Sequence, residues 1–422
     1  DSVSVYGGFD GTETALSQRD WESNPTIFSG EIQRDNDLSN NSYTVLVGPY
    51  GNSSTNKINY SLIDGITIRD GYSITNSSNN STRWGAGLYL QPNVRRLHIT
   101  NCVFTNNTAQ GAAAIYASTS GDSTHLEVSN TEFIGNKSSF ASCIWSQASS
   151  YLSMNMRVYN CLFTGNINEN YGGLENGSLF YFSSNGSNAN TIVSLMNNTI
   201  TNNTNNLRTS SNGQIIMLYK TSSSSTAGVE IANSIFYNNQ RYSHTTKDYY
   251  LSTSNFTFVA LVSCISDIHS YETNTMQTDV YRYDPLFTNT ATNDYTLQST
   301  SPAIDSGVVI PGMLPAHDLA GKTRIEGASV DLGCYEYHTI TADVKESKEL
   351  TSLSVFPNPT TGNLVFVSKE NLDVIVIYSL TGQKLKSFTK TNTVDVSELR
   401  PGIYMTRVVA GNKTSTQRIV KR

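Results

Sequence analysis

The sequence predicts an all-β fold in two parts, a right-handed parallel β-helix followed by a small immunoglobulin-like β-sandwich. Three observations carry that prediction. A motif N-x-x-F-x-x-N recurs between about residues 60 and 270, each copy following a strand of alternating apolar and polar residues. The surrounding text is crowded with Asn, Ser, Thr and Gly, which are poor helix formers. The last seventy or so residues break into short runs rich in Val, Ile, Phe and Tyr, punctuated by Pro and Gly at the spacing of turns.

From the N-terminus, residues 1–60 read as opening coils. Asp1 begins a strand-like DSVSVYGGF with no charged and apolar leader before it, so a processed leader and some further mature sequence are expected upstream. Residues 61–270 hold the repeat itself. Its copies are Asn101/Phe104/Asn107, Asn130/Phe133/Asn136, Asn160/Phe163/Asn166, Asn197/Ile200/Asn203 and Asn233/Phe236/Asn239, with periods of 29, 30, 37 and 36 residues. Each follows an alternating strand (LHIT, LEVS, MRVY, VSLM, VEIA), and a second apolar strand (GAAAIYA, FASCIWS, GSLFYF, GQIIMLY) separates successive copies. Unequal periods suit a solenoid, because lengthening a surface loop costs little closure entropy.

In a parallel coil the rungs lie about 4.8 Å apart, so equivalent side chains stack. Phe104, Phe133, Phe163 and Phe236 are expected to stack as core. Asn101, Asn130, Asn160, Asn197 and Asn233 are expected at corners, where Asn tolerates a left-handed backbone and its amide can bond to the next amide in the column. By the same alignment Asp64 and Asp70 fall in the places that Asn101 and Asn107 take one coil later. Residues 271–338 read as a closing segment, since an open end would leave unpaired backbone groups. The polar stretch TITADVKESKEL, residues 339–350, reads as a linker and residues 351–422 as the sandwich.

Bulk properties narrow the function. At 422 residues the chain has room for two or three domains. Its net charge of −6 divides unevenly: residues 345–422 carry 12 basic against 6 acidic side chains, leaving −12 on the remainder. An acidic body disfavours nucleic acid, and no apolar run is long enough for a spanning helix. The five cysteines, Cys102, Cys143, Cys161, Cys264 and Cys334, are odd in number and lack C-x-x-C spacing, so neither a disulfide framework nor a metal site is indicated. Cys102 and Cys161 share one slot of the repeat, with Thr131 between them, and read as small buried residues.

The tail contains PNPTTG at 357–362, LTG at 380–382, LRPGIY at 399–404 and a basic Lys421-Arg422. It resembles the C-terminal sorting domain of proteins exported by the type IX secretion system of Bacteroidota. The resemblance implies recognition by an outer-membrane β-barrel shuttle and its translocon, with Pro357, Asn358, Pro359, Gly362, Gly382, Gly402, Tyr404, Lys421 and Arg422 as the sorting signal and the two terminal cations pairing with receptor carboxylates. Upstream, VYGGFDGTET, LIDGITIRDG and WGAGLYL resemble the opening of β-helix surface proteins of the same bacteria. The FxxN copies resemble the repeats of chlamydial polymorphic outer-membrane adhesins, although the companion GGAI motif has become GAGL, GAAAI or ASCI. DPLF, DYTLQSTSPAIDSG and HDLAGKTRIEGASVDLGCYEY resemble a choice-of-anchor Q segment.

These resemblances imply a secreted or cell-surface protein serving adhesion or glycan binding, with a glycan or a host or cell-surface ligand as partner, and no cofactor or metal. The alternative is a polysaccharide lyase or glycoside hydrolase on the same scaffold, which needs clustered carboxylates and a cationic proton acceptor. The best such cluster in the text is Asp64, Arg69, Asp70, Arg83, Arg95, Arg96 and His98, while His125, His244, His269 and His317 are scattered. No catalytic residue is assigned. Trp84, Trp145, Tyr151, Tyr171 and Tyr181 are candidates for stacking on sugar faces, while Trp145 and Tyr181, which lie in repeat strands, read equally as core, and Asp122-Ser123-Thr124 fits a loose O-glycosylation acceptor pattern.

Overall fold

A computed structural model describes residues 2–35, 37–48, 59–75, 82–90, 94–171, 177–207, 214–241, 249–252, 256–266, 268–269, 275–310, 314–338, 348–350, 353–379, 383–411 and 413–422. The chain divides into two compact units, residues 1–338 and 339–422. The expected linker lies outside the described residues up to position 347; Lys348–Glu349 pairs with the terminal strand and Leu350 is buried in the second unit.

The first unit is a parallel β-helix. One face stacks nine strands, from Ser2–Tyr6 through Tyr60–Asp64, Arg96–Thr100, Thr124–Ser129, Ser153–Tyr159, Asn190–Met196 and Thr226–Ala232 to Phe258–Ser266 and Thr275–Tyr281, all pairing in parallel. After a corner each coil continues into a short strand such as Val103–Thr105 in the same sheet, then a two-residue strand such as Thr108–Ala109 in a six-stranded sheet. It then enters the eight-stranded face that contains Ile115–Ser118, Ala141–Ser149 and Ser178–Asn185.

Alternation decides what points inward. Leu97, Ile99, Leu126, Val128, Met156, Val158, Val193 and Leu195 fill the core from one face; Ile115, Ile144, Phe180, Phe182 and Ile216 fill it from the other. Phe104, Phe133 and Phe163 are fully buried and stack almost parallel, with centroids 5.2 and 4.5 Å apart. Ile200 interrupts the rings, and Phe236 follows it, also buried.

Two columns of left-handed residues make the corners. Asn101, Asn130, Asn160, Asn197 and Asn233 all have φ between 47° and 57°. Their amides bond back to the preceding coil: Asn101 to Asp64 at 2.8 Å, Asn130 to Asn101 at 3.3 Å, Asn160 to Asn130 at 2.6 Å and Asn233 to Asn197 at 3.4 Å. The continuous buried ladder, however, belongs to the second Asn of each repeat. Asn107, Asn136, Asn166 and Asn203 each donate Nδ2–H to Oδ1 of the next, at 3.0, 3.0, 2.9 and 2.9 Å, ending on Asn239. The same oxygens also accept a backbone N–H from the preceding coil, so every inward amide is satisfied on both sides.

The register corrects the placing of the two aspartates. Asp64 pairs with Thr100 and Arg69 with Thr105, so each aspartate sits one residue earlier than expected. Gly65 (φ 76°) occupies the Asn101 corner, and Asp70 (φ 61°) matches Asn106 rather than Asn107. Gly71 takes the Asn107 place, where its own N–H donates to the Asn107 side chain at 3.1 Å.

Residues 284–310 and 314–338 run along the flank of the coil, over the corner column and the outer side of the short strands. Phe287, Tyr295, Leu297, Leu332 and Cys334 form a second core with Leu162 and Ile235. The anchors are polar. Arg324, fully enclosed, donates to Asn160 Oδ1 at 2.5 Å and faces Glu336 at 3.5 Å. Tyr295 bonds Thr164 at 2.6 Å, and Asn233 donates to the Val308 carbonyl at 2.9 Å. Desolvation, with Asp331 nearby, pushes the Glu336 carboxyl up to about 7.

In the second unit, a five-stranded sheet faces a three-stranded one built from Ser354–Phe356, Asn363–Val367 and Thr393–Asp395. The larger sheet includes Val374–Tyr378, Lys384–Thr389, Gly402–Ala410 and Lys413–Lys421. Leu364, Phe366, Ile375, Ile377, Val408 and Ile419 fill the space between them.

The ring stack supplies a test of the register. Phe133→Ala should destabilise the β-helix by about 3–5 kcal/mol, whereas Thr105→Ala, on the outward side of a short strand, should change it by less than about 0.5 kcal/mol. Denaturant melts of the two variants should differ accordingly; equal losses would mean that the inward column is misassigned.

Candidate functional site

Two regions carry candidate function, one in each unit. In the body, the outward positions of the nine-stranded face form rows across the coils. His98, Glu127, Arg157 and Ser194 occupy one row, Arg96, His125 and Asn155 the next, and Thr100, Ser129, Tyr159 and Met196 a third. Leu314 and Pro315, from the flanking segment, overhang the third row and enclose a hollow of about 260 Å³. A second hollow of about 420 Å³ adjoins it, sharing His98 and Glu127 and reaching Tyr60 and Arg96.

Hydrogen bonds order this cleft. Ser129 donates to Thr100 at 2.9 Å, leaving its oxygen free to accept from His98 Nε2 at 2.8 Å. Tyr159 donates to Glu127 at 2.5 Å, while the His98 and His125 rings lie 4.0 and 3.9 Å from that carboxylate. The His125 ring and the tyrosine hydroxyl together hold Glu127 down at about 2, against burial, which acts the other way. Burial holds His98 below the usual imidazole range despite Glu127 and Asp64 nearby. The Arg96 and Arg157 guanidinium groups make no hydrogen bond or ion pair with the described residues.

Of the cluster read from sequence, only Arg96 and His98 reach this cleft. Asp64 is ion-paired to Arg19, whose guanidinium lies over Tyr6 and Trp21. Asp70 pairs with Arg69 at 3.1 Å, Arg83 bonds Gln110 at 2.7 Å and Arg95 bonds Asp122 at 2.7 Å. The Arg19–Asp64 and Arg95–Asp122 pairs link neighbouring coils, Arg69 and Asp70 answer each other locally, and Arg83 is held by a neutral amide. His244 lies outside the described residues. Sequence reasoning missed Glu127, Arg157 and Tyr159, which lie on two strands one repeat apart and share no local motif.

The aromatic candidates fare differently. Trp145 and Tyr181 point outward but are only 6 % and 7 % exposed, because Trp84 and Phe140 pack across them, with Trp84 4.6 Å from Trp145 and Phe140 4.5 Å from Tyr181. A second apolar layer covers what alternation alone reads as an exposed stripe. Tyr171 is half-buried and bonds Glu169; Tyr151 is 74 % exposed. In the glycosylation pattern, Ser123 accepts an N–H from Ser153 and Thr124 is buried. The five thiols are buried and unpaired, and burial pushes Cys102, Cys264 and Cys334 up to about 12.

In the tail, the separated motif residues converge. Asn358 donates to the Arg418 carbonyl at 2.7 Å and accepts from Val420 N–H at 2.8 Å. Thr360 N–H reaches Val420 O at 2.9 Å, and Arg422 N–H reaches Thr360 O at 2.8 Å. The Pro357–Gly362 turn, with both its X-Pro bonds cis, is thus zipped to the terminal strand, and Gly402 pairs with Lys421 in the sheet. Gly362 N–H is held by Thr360 Oγ1 at 3.1 Å, and Tyr404 donates its hydroxyl to Arg400 O at 2.7 Å. Lys421 is 8 % exposed and its ammonium donates to Arg422 O, so of the two terminal cations Arg422 is the exposed one. Gly382 lies outside the described residues.

Folding lowers the Glu127 pKa, so its contribution to stability is complete above the ordinary value of 4.5 and is lost as pH falls toward about 2. Glu127→Gln should therefore be less stable than wild type at neutral pH, with the gap closing through that window in melts at stepped pH. A gap independent of pH would mean that His125 and Tyr159 do not stabilise the carboxylate.

No helix among the described residues is long and apolar enough to cross a membrane, and among the same residues no cluster of His, Cys, Asp and Glu has the geometry of a metal site. A comparison with curated proteins gives no match. Residues 354–422, which contain the converging turn, the Gly402–Ala410 strand and the terminal strand, match the family described as the secretion system C-terminal sorting domain, and the chain is thereby a type IX secretion cargo bound for the cell surface or the extracellular space.

Proposed function

We propose that the exported body is a glycan-binding or adhesive surface module, and that the cleft over His98, Glu127, Arg157 and Tyr159 is where it binds. The observation that supports this is the roofed cleft itself. A carboxylate acceptor, free guanidinium donors, hydroxyls and the apolar surfaces of Tyr159, Met196, Leu314 and Pro315 stand together on a rigid sheet. Most outward positions of a β-helix only need to be soluble, so a hollow with convergent polar groups is the default place to seek a ligand. The choice-of-anchor Q likeness of residues 271–338 fits this reading, since that segment supplies the roof. A second reading, as a lyase or hydrolase, draws on the contact of His98, Glu127 and Tyr159, which could move a proton at a bound sugar.

On the tail, the proposal assigns the zipped surface of Pro357–Gly362, Gly402 and Arg422 to the β-barrel shuttle of the translocon. Residues 413–422 form an interior strand of the five-stranded sheet and hold the Pro357–Gly362 turn. Deleting them should leave a folded body in the periplasm, detected by protease protection and fractionation, while residues 339–422 fused to an unrelated periplasmic protein should carry it to the surface. Normal amounts of the truncated protein outside the cell would overturn the assignment. For the body, a glycan array probed with the whole chain tests binding, and the appearance of unsaturated uronate absorbance tests the enzymatic reading.

A further inference from the structure

We infer that the cleft takes an acidic polysaccharide laid along the helix axis, one sugar residue per coil, with a carboxylate received by Arg157; this rests on the glycan-binding reading of the body.

Charge points to the sign of the ligand. Residues 1–344 carry −12, yet the charges left unengaged in the cleft are positive. Glu127 already accepts from Tyr159 and is flanked by His98 and His125, which leaves its charge largely answered. Arg157 and Arg96 are answered by nothing among the described residues, although ion pairs engage Arg19, Arg69 and Arg95 elsewhere on the first three coils. An arginine fork left open in a cleft matches a planar carboxylate bidentately, a match that a neutral sugar hydroxyl cannot reproduce.

Geometry points to a chain. Rungs repeat at about 4.8 Å, close to the length of one pyranose residue in a polysaccharide. A polymer lying across Leu62, His98, Glu127, Arg157 and Ser194 would therefore meet an equivalent position at every coil. The hollow of about 260 Å³ itself runs along that row, walled by His98, Glu127, Arg157 and Ser194 on four successive coils, and the hollow of about 420 Å³ lies beside it on the other side of His98 and Glu127. Met196 and Pro315 offer an apolar surface against a ring face at the roofed end.

The test is calorimetric titration of the whole chain at neutral pH with oligogalacturonate, oligoglucuronate, a sulfated oligosaccharide, neutral dextran and cello-oligosaccharides, and monomeric galacturonate. Binding of an oligouronate, weakened about tenfold or more by Arg157→Ala, partly restored by Arg157→Lys and untouched by Tyr151→Ala, is the expected result. Binding of neutral chains alone would overturn the acidic ligand while leaving glycan binding in place. Binding of no carbohydrate would overturn both. Preference for the sulfated chain would overturn the carboxylate, equal affinity for monomer and oligomer would overturn the axial chain, and indifference to Arg157→Ala would move the site elsewhere.

Discussion

The inward ladder from Asn107 to Asn239 is the constraint on which the body depends. A buried amide must have both its donor and its acceptor satisfied, and the carboxamide carries both on one short planar group. Stacked once per coil, it satisfies itself only at the pitch of a parallel sheet, so the ladder and the sheets impose the same rise. Nδ2 of each also donates to a carbonyl of the coil before, as Asn136 does to Phe104 at 2.9 Å and Asn166 to Phe133 at 2.9 Å. That fixes the strand carrying the ring and keeps the rings in register. The outward rows inherit the same spacing, and the cleft is one place where the inherited spacing brings unlike side chains together.

Much of this is legible in the sequence. The repeat gave the coil, alternation gave the two large faces, and Pro and Gly punctuation gave the strands of the tail. The inner ladder was harder to locate, because both asparagines of N-x-x-F-x-x-N suit a corner; only the register distinguishes the left-handed one, exposed to the flank, from the one turned inward. The same one-residue ambiguity displaced Asp64 and Asp70. Long-range relations left no local trace: Glu127 and Arg157 are cross-strand neighbours about one repeat apart, and Leu314 and Pro315 come from far along the chain. Residues 271–338 were expected to close the coil; Thr275–Tyr281 adds the last parallel strand, while residues 284–310 and 314–338 lie along the side, because Leu162, Ile235 and the corner amides offer an apolar and polar surface there that needs covering.

The two units divide the protein's tasks by different chemistry. In the tail, the residues that resemble a sorting signal are mostly engaged in backbone pairing: Asn358 and Thr360 bond to the terminal strand, and Lys421 is folded inward. Much of the recognisable pattern therefore specifies a shape, and a partner would read that shape together with the few groups left outside it. In the body the proportion is reversed. The repeated residues specify the scaffold, and the unrepeated outward residues are left free to differ from coil to coil.

A solenoid stabilised only between neighbouring coils would behave as a one-dimensional chain, able to fray from either end one rung at a time. The flanking segment changes that. It is fastened to Asn160 through Arg324, to Thr164 through Tyr295, to Asn197 through the Asp331 carbonyl and to Asn233 through Val308. Coils that do not touch one another thus share a single brace, and loosening any of them strains the attachment of the rest. The result is cooperativity over several rungs, with a middle section that opens as a block while the coils outside the brace remain free to open singly.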